Sequence, residues 1–473
     1  MGRSKPKIFE NILIEGIADD GKCIAHHDGA AIFVRDVAPG DIVDVRAKKS
    51  RKNFFEAVPV QFKELSKNRT NASCRHFGTC GGCKWQHISY GFQAEQKQKI
   101  VEDNLQRIGK VQLPEINPII KSENTFHYRN KLEFTFSNKR WLTREEIDSG
   151  NEFDNNALGF HVPKLFDRIV DIEECLLQPE PSNEIRNEVR TYGLRHNLSF
   201  YDIRTKQGLL RNLIIRNSIK GELMVIVQFG EASEEIFSLL DHLKESFPEI
   251  SSLLYVINTK GNETFHDLEV ITYYGQGFIQ EEMPTYKDPE EKLKFRIGPK
   301  SFYQTNSHQA QVLYKTAVDM AGFTGDETVY DLYTGTGTIA LYLASLVGKV
   351  VGIEYVESAI EDAKINAREN EITNVEFLAG DMKDVLNEDL ITRHGKPDVV
   401  ITDPPRAGMH KDVVEKLLEF APTRIVYVSC NPATQARDLA LLDEKYEVKI
   451  VQPVDMFPHT SHIECVVLLE LRK

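Results

Sequence analysis

From Phe302 to the C-terminus the chain keeps one rhythm, and that rhythm leaves few folds open. Short β-branched and aromatic runs, TVYDLY, KVVGIEY, VEFLAG, DVVITD, RIVYVSC and CVVLLELR, alternate with helical stretches such as ESAIEDAKINAREN and HKDVVEKLLEF. Successive parallel strands need helical crossovers, so the pattern predicts an α/β domain with a doubly wound, mainly parallel sheet.

Upstream the pattern differs. Residues 7 to about 64 read as short alternating strands broken by turns such as DDG and APGD, which predicts a small barrel of the OB type. From about 112 to 290, strands such as KLEFTFS, NLIIRNS, ELMVIVQFG and SSLLYVIN indicate an α+β domain. The expected organisation is multidomain: a barrel over 1–65, a central α+β domain over 66–290, and an α/β domain over 291–473. Between the first two, FQAEQKQKIVEDNLQRIG has helical spacing with Ile100, Leu105 and Ile108 on its apolar side, and this helix is expected to pack on the C-terminal domain.

Composition narrows the function. MGRSKPKIFE has no apolar signal core, and no run approaches the ~18 apolar residues of a membrane helix, so the expectation is a cytoplasmic protein away from membranes. Seven cysteines without a secretion signal argue for reduced thiols, metal ligands or catalysis. The net charge of −13 hides an asymmetry: residues 46–110 hold 14 Lys and Arg against 5 Asp and Glu, about +9, leaving about −22 elsewhere. A basic segment on an acidic body suggests a phosphate-bearing partner. In FHYRNKLEFTF, Arg129, Asn130 and Lys131 precede a strand and would form an RNA-facing edge or an ordinary cationic strand start.

Three motifs carry chemistry. In VYDLYTGTGTIAL an apolar strand runs into Asp331, and Gly335 and Gly337 open a helix where backbone can approach a ligand. Gly335-x-Gly337-x-x-Ala340 also satisfies the dinucleotide fingerprint, with Glu354 ending the next strand 17 residues after Gly337, so a nicotinamide enzyme stays open at this point. In VVITDPPRAG the prolines hold Asp403 and Arg406 at a strand end, which a dehydrogenase does not need. In RIVYVSCNPATQARD, Cys430 stands where a strand ends and Asn431-Pro432 begins a helix, whose positive end would favour a thiolate. A small apolar cysteine filling a β-α corner is the structural alternative.

Taken with SHIECVVLL, these motifs resemble the RNA (uracil-5-)-methyltransferase family, specifically its 23S rRNA branch with an N-terminal TRAM domain and an iron-sulfur cluster. The resemblance spans essentially the whole chain. It implies S-adenosylmethionine as methyl donor and a thiolate that adds to uracil C6, making C5 nucleophilic. A base must then remove the C5 proton. By the same matching, Cys430 is the nucleophile and Glu464 the base. Gln304, Tyr333, Thr338, Glu354, Asp381 and Asp403 form the cofactor site, with Glu354 on the ribose, Asp381 near the adenine and Asp403 near the methyl donor. Asp381 also suits a helix N-cap. The resemblance further implies that the tRNA branch lacks the barrel and cysteine cluster and that 23S rRNA is the partner; nothing in the sequence suggests an obligate protein partner, and a monomer is the expectation.

Cys74-x5-Cys80-x2-Cys83, with Cys175 91 intervening residues later, supplies four thiolates for zinc or a 4Fe-4S cluster. Spacing does not choose between them; the resemblance favours iron-sulfur with a structural or RNA-positioning role. His459 and His462 suit zinc poorly and read as loop or substrate-shell residues. A metal-stabilised RNA-binding protein without activity would explain the basic N-terminal third but not the set of catalytic positions.

Overall fold

The computed structural model describes residues 7–18, 21–51 and 54–473; two residues of the expected DDG turn, Asp19 and Asp20, lie outside the described residues. Six N-terminal strands form one sheet in the order Ile8–Leu13, Ile42–Arg51, Phe54–Glu64, Ala30–Val34, Cys23–His27, Gly16–Ile17. Alternation along these strands turns Phe9, Ile12, Cys23, Ala25, Ile32, Val34, Val43 and Val45 into a common core. Asp41, fully buried, accepts hydrogen bonds from Ala38 N, Ser66 N and two Arg69 nitrogens at 2.6 to 2.9 Å. Arg69, counted in the basic segment, is thus committed to holding the barrel onto the following chain.

The central sheet has seven strands, ordered Ile271–Gly275, Ile250–Ile257, Leu223–Phe229, Leu210–Asn217, Lys131–Ser137, Ala157–His161, Ile169–Asp171. Helices Ser182–Arg195 and Glu235–Ser246 cover one face through Ile185, Val189, Leu239 and Leu243. On the other face Ile214, Met224, Ile226 and Val256 share a core with Phe295, Leu313 and Ala317 of the C-terminal part. The hairpin Ile279–Pro284 with Lys292–Ile297 straddles position 290, so the chain runs from one unit to the next through a paired element.

The C-terminal sheet also has seven strands: Thr328–Leu332, Lys349–Glu354, Val375–Ala379, Val399–Thr402, Arg424–Ser429, Tyr446–Val454 and Glu464–Leu471. Numbered in chain order they lie 3-2-1-4-5-7-6. The first five are parallel, the seventh pairs antiparallel with the fifth, and the sixth pairs antiparallel with the seventh. Tyr446–Val454 is a strand the sequence pattern did not reveal: it lies at the sheet edge, and Glu447, Lys449, Gln452 and Pro453 break up its apolar run.

Helix Tyr90–Asn104 continues as one wide π turn, Leu105–Gly109. It packs on the C-terminal domain, with Val101 and Leu105 against Tyr427 and Ala436. The wider turn changes the helical phase, so Ile108, expected on the apolar side, is 45% exposed. Among the described residues no helix is long and apolar enough to cross a membrane.

Candidate active site

The carboxyl ends of strands Thr328–Leu332, Val399–Thr402 and Arg424–Ser429 lie side by side. This is the crevice where open α/β sheets bind ligands, because connections leave the sheet there in opposite directions. After the first strand the backbone turns through Tyr333, Gly335 and Gly337, all left-handed, with φ of 64°, 56° and 81°. A Cβ at Gly337 would come 2.7 Å from Phe377 Cζ, whereas one at Gly335 would meet nothing within 4 Å. Gly337 is therefore demanded by packing, and Gly335 faces open space beside its backbone N–H.

Cys430 follows the fifth strand directly. Asn431 caps helix Pro432–Leu442 by accepting from Ala433 N at 3.2 Å, and Pro432 sits in its first turn, as the sequence predicts. Ser429 pairs with Cys465 in antiparallel register, which carries Cys430 opposite Glu464. Asn431 Nδ2 and Thr434 Oγ1 donate to Arg406 O at 3.0 and 3.3 Å, fixing the Asp403–Arg406 turn over the same crevice.

Three enclosed carboxyl groups meet here. Burial pushes Asp331 up to about 7, and the charges of Asp403 and Glu354 push the same way against a 2.5 Å hydrogen bond from the Thr334 hydroxyl. Burial likewise raises Asp403 to about 7. Glu464, 4% exposed, is held far above the carboxylate range by burial and by Asp403. None of the three has a salt-bridge partner among the described residues, and Asp331 Oδ1 has no hydrogen-bond partner among them. Such a pocket favours a cationic ligand, which restores the ionised forms that burial disfavours.

The same carboxylates act on the thiol. Burial, then Glu464 and Asp403, push Cys430 up to about 12, with Arg406 opposing. The expectation that the helix start would yield a thiolate is corrected on this point, because two acidic neighbours and desolvation outweigh it.

The remaining predicted positions are distributed around this centre. Glu354 accepts from Gly335 N at 3.2 Å and Val356 N at 3.0 Å. The Thr338 hydroxyl donates to Tyr314 Oη at 3.4 Å, and Tyr314 feels Asp403, Asp331 and Glu464. Tyr314, on helix Ser307–Ala321, is a site neighbour that sequence reading missed, since nothing but helical phase marks it. Asp381 caps helix Met382–Val385, accepting from Lys383 N at 3.2 Å, so the N-cap alternative holds for its side chain. Gln304 is buried in the turn before helix Ser307–Ala321. Asn130 Nδ2 donates to Gln304 O at 2.8 Å and to Ser307 Oγ at 2.7 Å. Asn130 is therefore a buried clamp, and the RNA-facing edge proposed for it is corrected.

With this geometry established, comparisons become informative. The family model for tRNA (uracil-5-)-methyltransferase matches residues 270–472, and that for the TRAM domain matches residues 10–60. A protein of Bacteroides thetaiotaomicron named uncharacterized RNA methyltransferase is 58% identical over 461 residues, covering 96% of this chain and 100% of the relative. The chain belongs to the RNA (uracil-5-)-methyltransferase family. A Porphyromonas gingivalis relative with the same printed name is 52% identical, covering 96% and 98%. Among solved structures, the methyltransferase is similar to Pyrococcus abyssi tRNA (uracil-54, C5)-methyltransferase in complex with S-adenosyl-L-homocysteine. The TM-score is 0.73 at 29% identity, covering 97% of this chain and 99% of that one.

This neighbour corrects one expectation. A tRNA enzyme aligns along almost the entire chain, N-terminal region included, so the barrel does not separate rRNA from tRNA enzymes. The nicotinamide reading of the glycine loop falls with the family assignment.

In the methyltransferase the cysteines of the second motif also converge. Cys74, Cys80, Cys83 and Cys175 line one cavity of about 180 Å³ together with Arg129. Burial raises all four thiols, while Arg129 and Arg186 favour the ionised form of Cys175. Among the described residues no three His, Cys, Asp or Glu side chains stand close enough for a single metal ion. His459 is buried and stacked on Phe126 at 4.4 Å, and His462 is half-buried; burial takes both down to about 4. Both are loop residues leading to Glu464.

Proposed function

We propose that this methyltransferase transfers a methyl group from S-adenosylmethionine to C5 of a uridine in 23S rRNA through a covalent Cys430 adduct. The observation that carries the reading is the register that sets Cys430 opposite Glu464, with Asp403 acting on both. Gln304, Tyr333, Thr338, Glu354, Asp381 and Asp403 would hold the cofactor, which supplies an electrophilic sulfonium methyl when bound.

The target base must leave its stack to reach the crevice. Cys430 gives up its thiol proton to water as the Sγ–C6 bond forms, and the C5–C6 electron pair moves into an enolate. C5 then takes the methyl group, whose bond to sulfur breaks so that a neutral thioether would leave. Glu464 accepts the C5 proton, the Sγ–C6 bond breaks, and Cys430 leaves as a thiolate. Burial and Asp403 raise Glu464, and a carboxylate with raised proton affinity is a stronger base toward carbon.

A larger thiolate-bound group suits the four-cysteine cavity better than one ion, and we assign it a 4Fe-4S cluster held by Cys74, Cys80, Cys83 and Cys175. Zinc is the alternative. In either case the group would brace the fold near the RNA, since the chemistry above moves no electrons through it.

A tRNA substrate is the second reading, favoured by the Pyrococcus neighbour. Tritium release from C5-labelled 23S rRNA and tRNA transcripts separates the two. Release that vanishes in Cys430→Ala, with a trapped protein–RNA adduct in Glu464→Gln, supports the mechanism; absence of release from both RNAs overturns it.

A further inference from the structure

Residues 298–306 join strand Lys292–Ile297 to helix Ser307–Ala321 and carry Gln304, yet side chains of the central sheet hold them in place. Arg216, on strand Leu210–Asn217, is 3% exposed, and its Nη1 donates to Gly298 O at 2.8 Å and to Ser301 O at 3.1 Å. Glu281, 2% exposed on strand Ile279–Pro284, accepts from Ile219 N at 2.8 Å and from Ser307 Oγ at 2.6 Å. A hydroxyl that donates to Glu281 still has lone pairs, and Asn130 Nδ2 donates to it at 2.7 Å while also donating to Gln304 O. Both protons of the Asn130 amide and the Ser307 hydroxyl proton are thereby committed, which leaves the path from Glu281 to Gln304 one hydrogen-bonding pattern.

Apolar side chains of the same size would close this seam at lower cost than two buried charges. Burial pushes Glu281 up and Arg216 down, and the charge of Glu281 opposes the fall at Arg216. What the charged groups supply is orientation. Both Arg216 bonds end on the turn itself, and Glu281 reaches it through Ser307. Asn306, in the same turn, donates through Nδ2 to Met456 O at 2.9 Å, so the turn also braces the loop that leads to Glu464.

We infer that Arg216 and Glu281 are positioning residues for methyl-donor binding, which set Gln304 against the cofactor from the central domain. The inference rests on the cofactor role proposed above for Gln304. It gives the central sheet a part in S-adenosylmethionine binding, although that sheet contributes none of the residues assigned to the cofactor.

The test is the affinity of the full chain for S-adenosylmethionine, measured by titration calorimetry in Ser307→Ala, Arg216→Met and Arg216→Lys, each with and without Gln304→Ala. Gln304→Ala alone should weaken binding about tenfold. Ser307→Ala and Arg216→Met should each weaken it about 5- to 10-fold, and Arg216→Lys, which keeps a charged donor, by less. In the Gln304→Ala background the further loss should shrink to about twofold or below, because the side chain to be positioned is gone. A residue that only stabilises the fold would lower the melting temperature and leave the affinity of the folded protein unchanged. Ser307→Ala, which removes a single oxygen, carries the test should Arg216→Met not fold. If Gln304→Ala weakens binding while Ser307→Ala and Arg216→Met do not, or if their losses add in full to that of Gln304→Ala, the positioning role is overturned and the cofactor site stands. No loss in Gln304→Ala itself overturns the assignment of Gln304 and this inference with it.

Discussion

Lys97 Nζ lies 2.6 Å from Asp455 Oδ1, and neither side chain has any exposed surface. The pair joins helix Tyr90–Asn104 to the loop that runs into Glu464, and Lys97 also donates to Phe457 O at 3.0 Å. Gln93, one turn earlier, accepts from His459 N at 2.9 Å. The loop bearing the proposed base is thus held by a helix from 360 residues earlier in the chain. Lys97→Met leaves a buried carboxylate alone and should cost about 3–5 kcal/mol of stability. In Lys97→Met/Asp455→Leu most of that loss should return while turnover stays depressed. Chemical denaturation and single-turnover rates check this; full recovery of rate by the double variant would show that the pair does not position Glu464.

The two loop glycines should separate ligand binding from folding. Gly335→Ala places its methyl in open space and carries only the left-handed backbone cost of about 1–2 kcal/mol. S-adenosylmethionine affinity should fall at least tenfold in a folded protein. Gly337→Ala drives a methyl into Phe377 and Ala363 and should destabilise by more than Gly335→Ala. Thermal melts with and without the cofactor decide it, and an unaffected cofactor-induced shift in Gly335→Ala would contradict the assigned site.

Asp331 and Asp403 titrate near 7 against an ordinary 3.8. A carboxyl raised in the folded state stabilises it most below the ordinary value, and that contribution is lost as pH rises through 7. A bound sulfonium acts in the other direction by favouring the carboxylates. Cofactor binding at pH 7 should therefore release protons, more for S-adenosylmethionine than for the uncharged thioether S-adenosylhomocysteine. Titration calorimetry in buffers of different ionisation enthalpy measures the release; equal values for both ligands would count against the acidic pocket as the sulfonium site.

The Cys430 thiol, raised to about 12, should alkylate slowly at neutral pH and accelerate about tenfold per pH unit up to about 10. Glu464→Gln should speed the reaction and Arg406→Ala slow it, because the first removes an opposing charge and the second a supporting one. Mass spectrometry of the Cys430 peptide gives the rates. Rapid alkylation at pH 7 in the wild type would refute the raised thiol.

Cysteine substitution tests the second cavity. Cys175→Ala should abolish any iron and sulfide in anaerobically purified protein and lower the melting temperature, whereas Cys23→Ala, in the barrel core, should retain the metal. Stoichiometric zinc with no sulfide would favour the alternative ion.

Much of the C-terminal fold is legible in the sequence because parallel strands buried on both faces need near-continuous apolar runs, as in DVVITD and RIVYVSC. The motif residues Asp331, Asp403, Cys430 and Glu464 stand out for the same reason: each is polar at the end of such a run. Tyr446–Val454 escaped because an edge strand tolerates charges, and Ile108 was misplaced because a π turn shifts phase without a local signal.

By itself, the sequence determined which polar residues stand at the ends of the apolar strands and the order of the units that bear them, since strand, turn and cap preferences act over a few neighbours. Only the tertiary structure decided their state and support. Burial beside Asp403 raises Glu464, Asn130 clamps the turn of Gln304, and Lys97 closes on Asp455, each through contacts between residues at least 61 positions apart. Electrostatics and packing of that kind depend on distance in space, which no local pattern records.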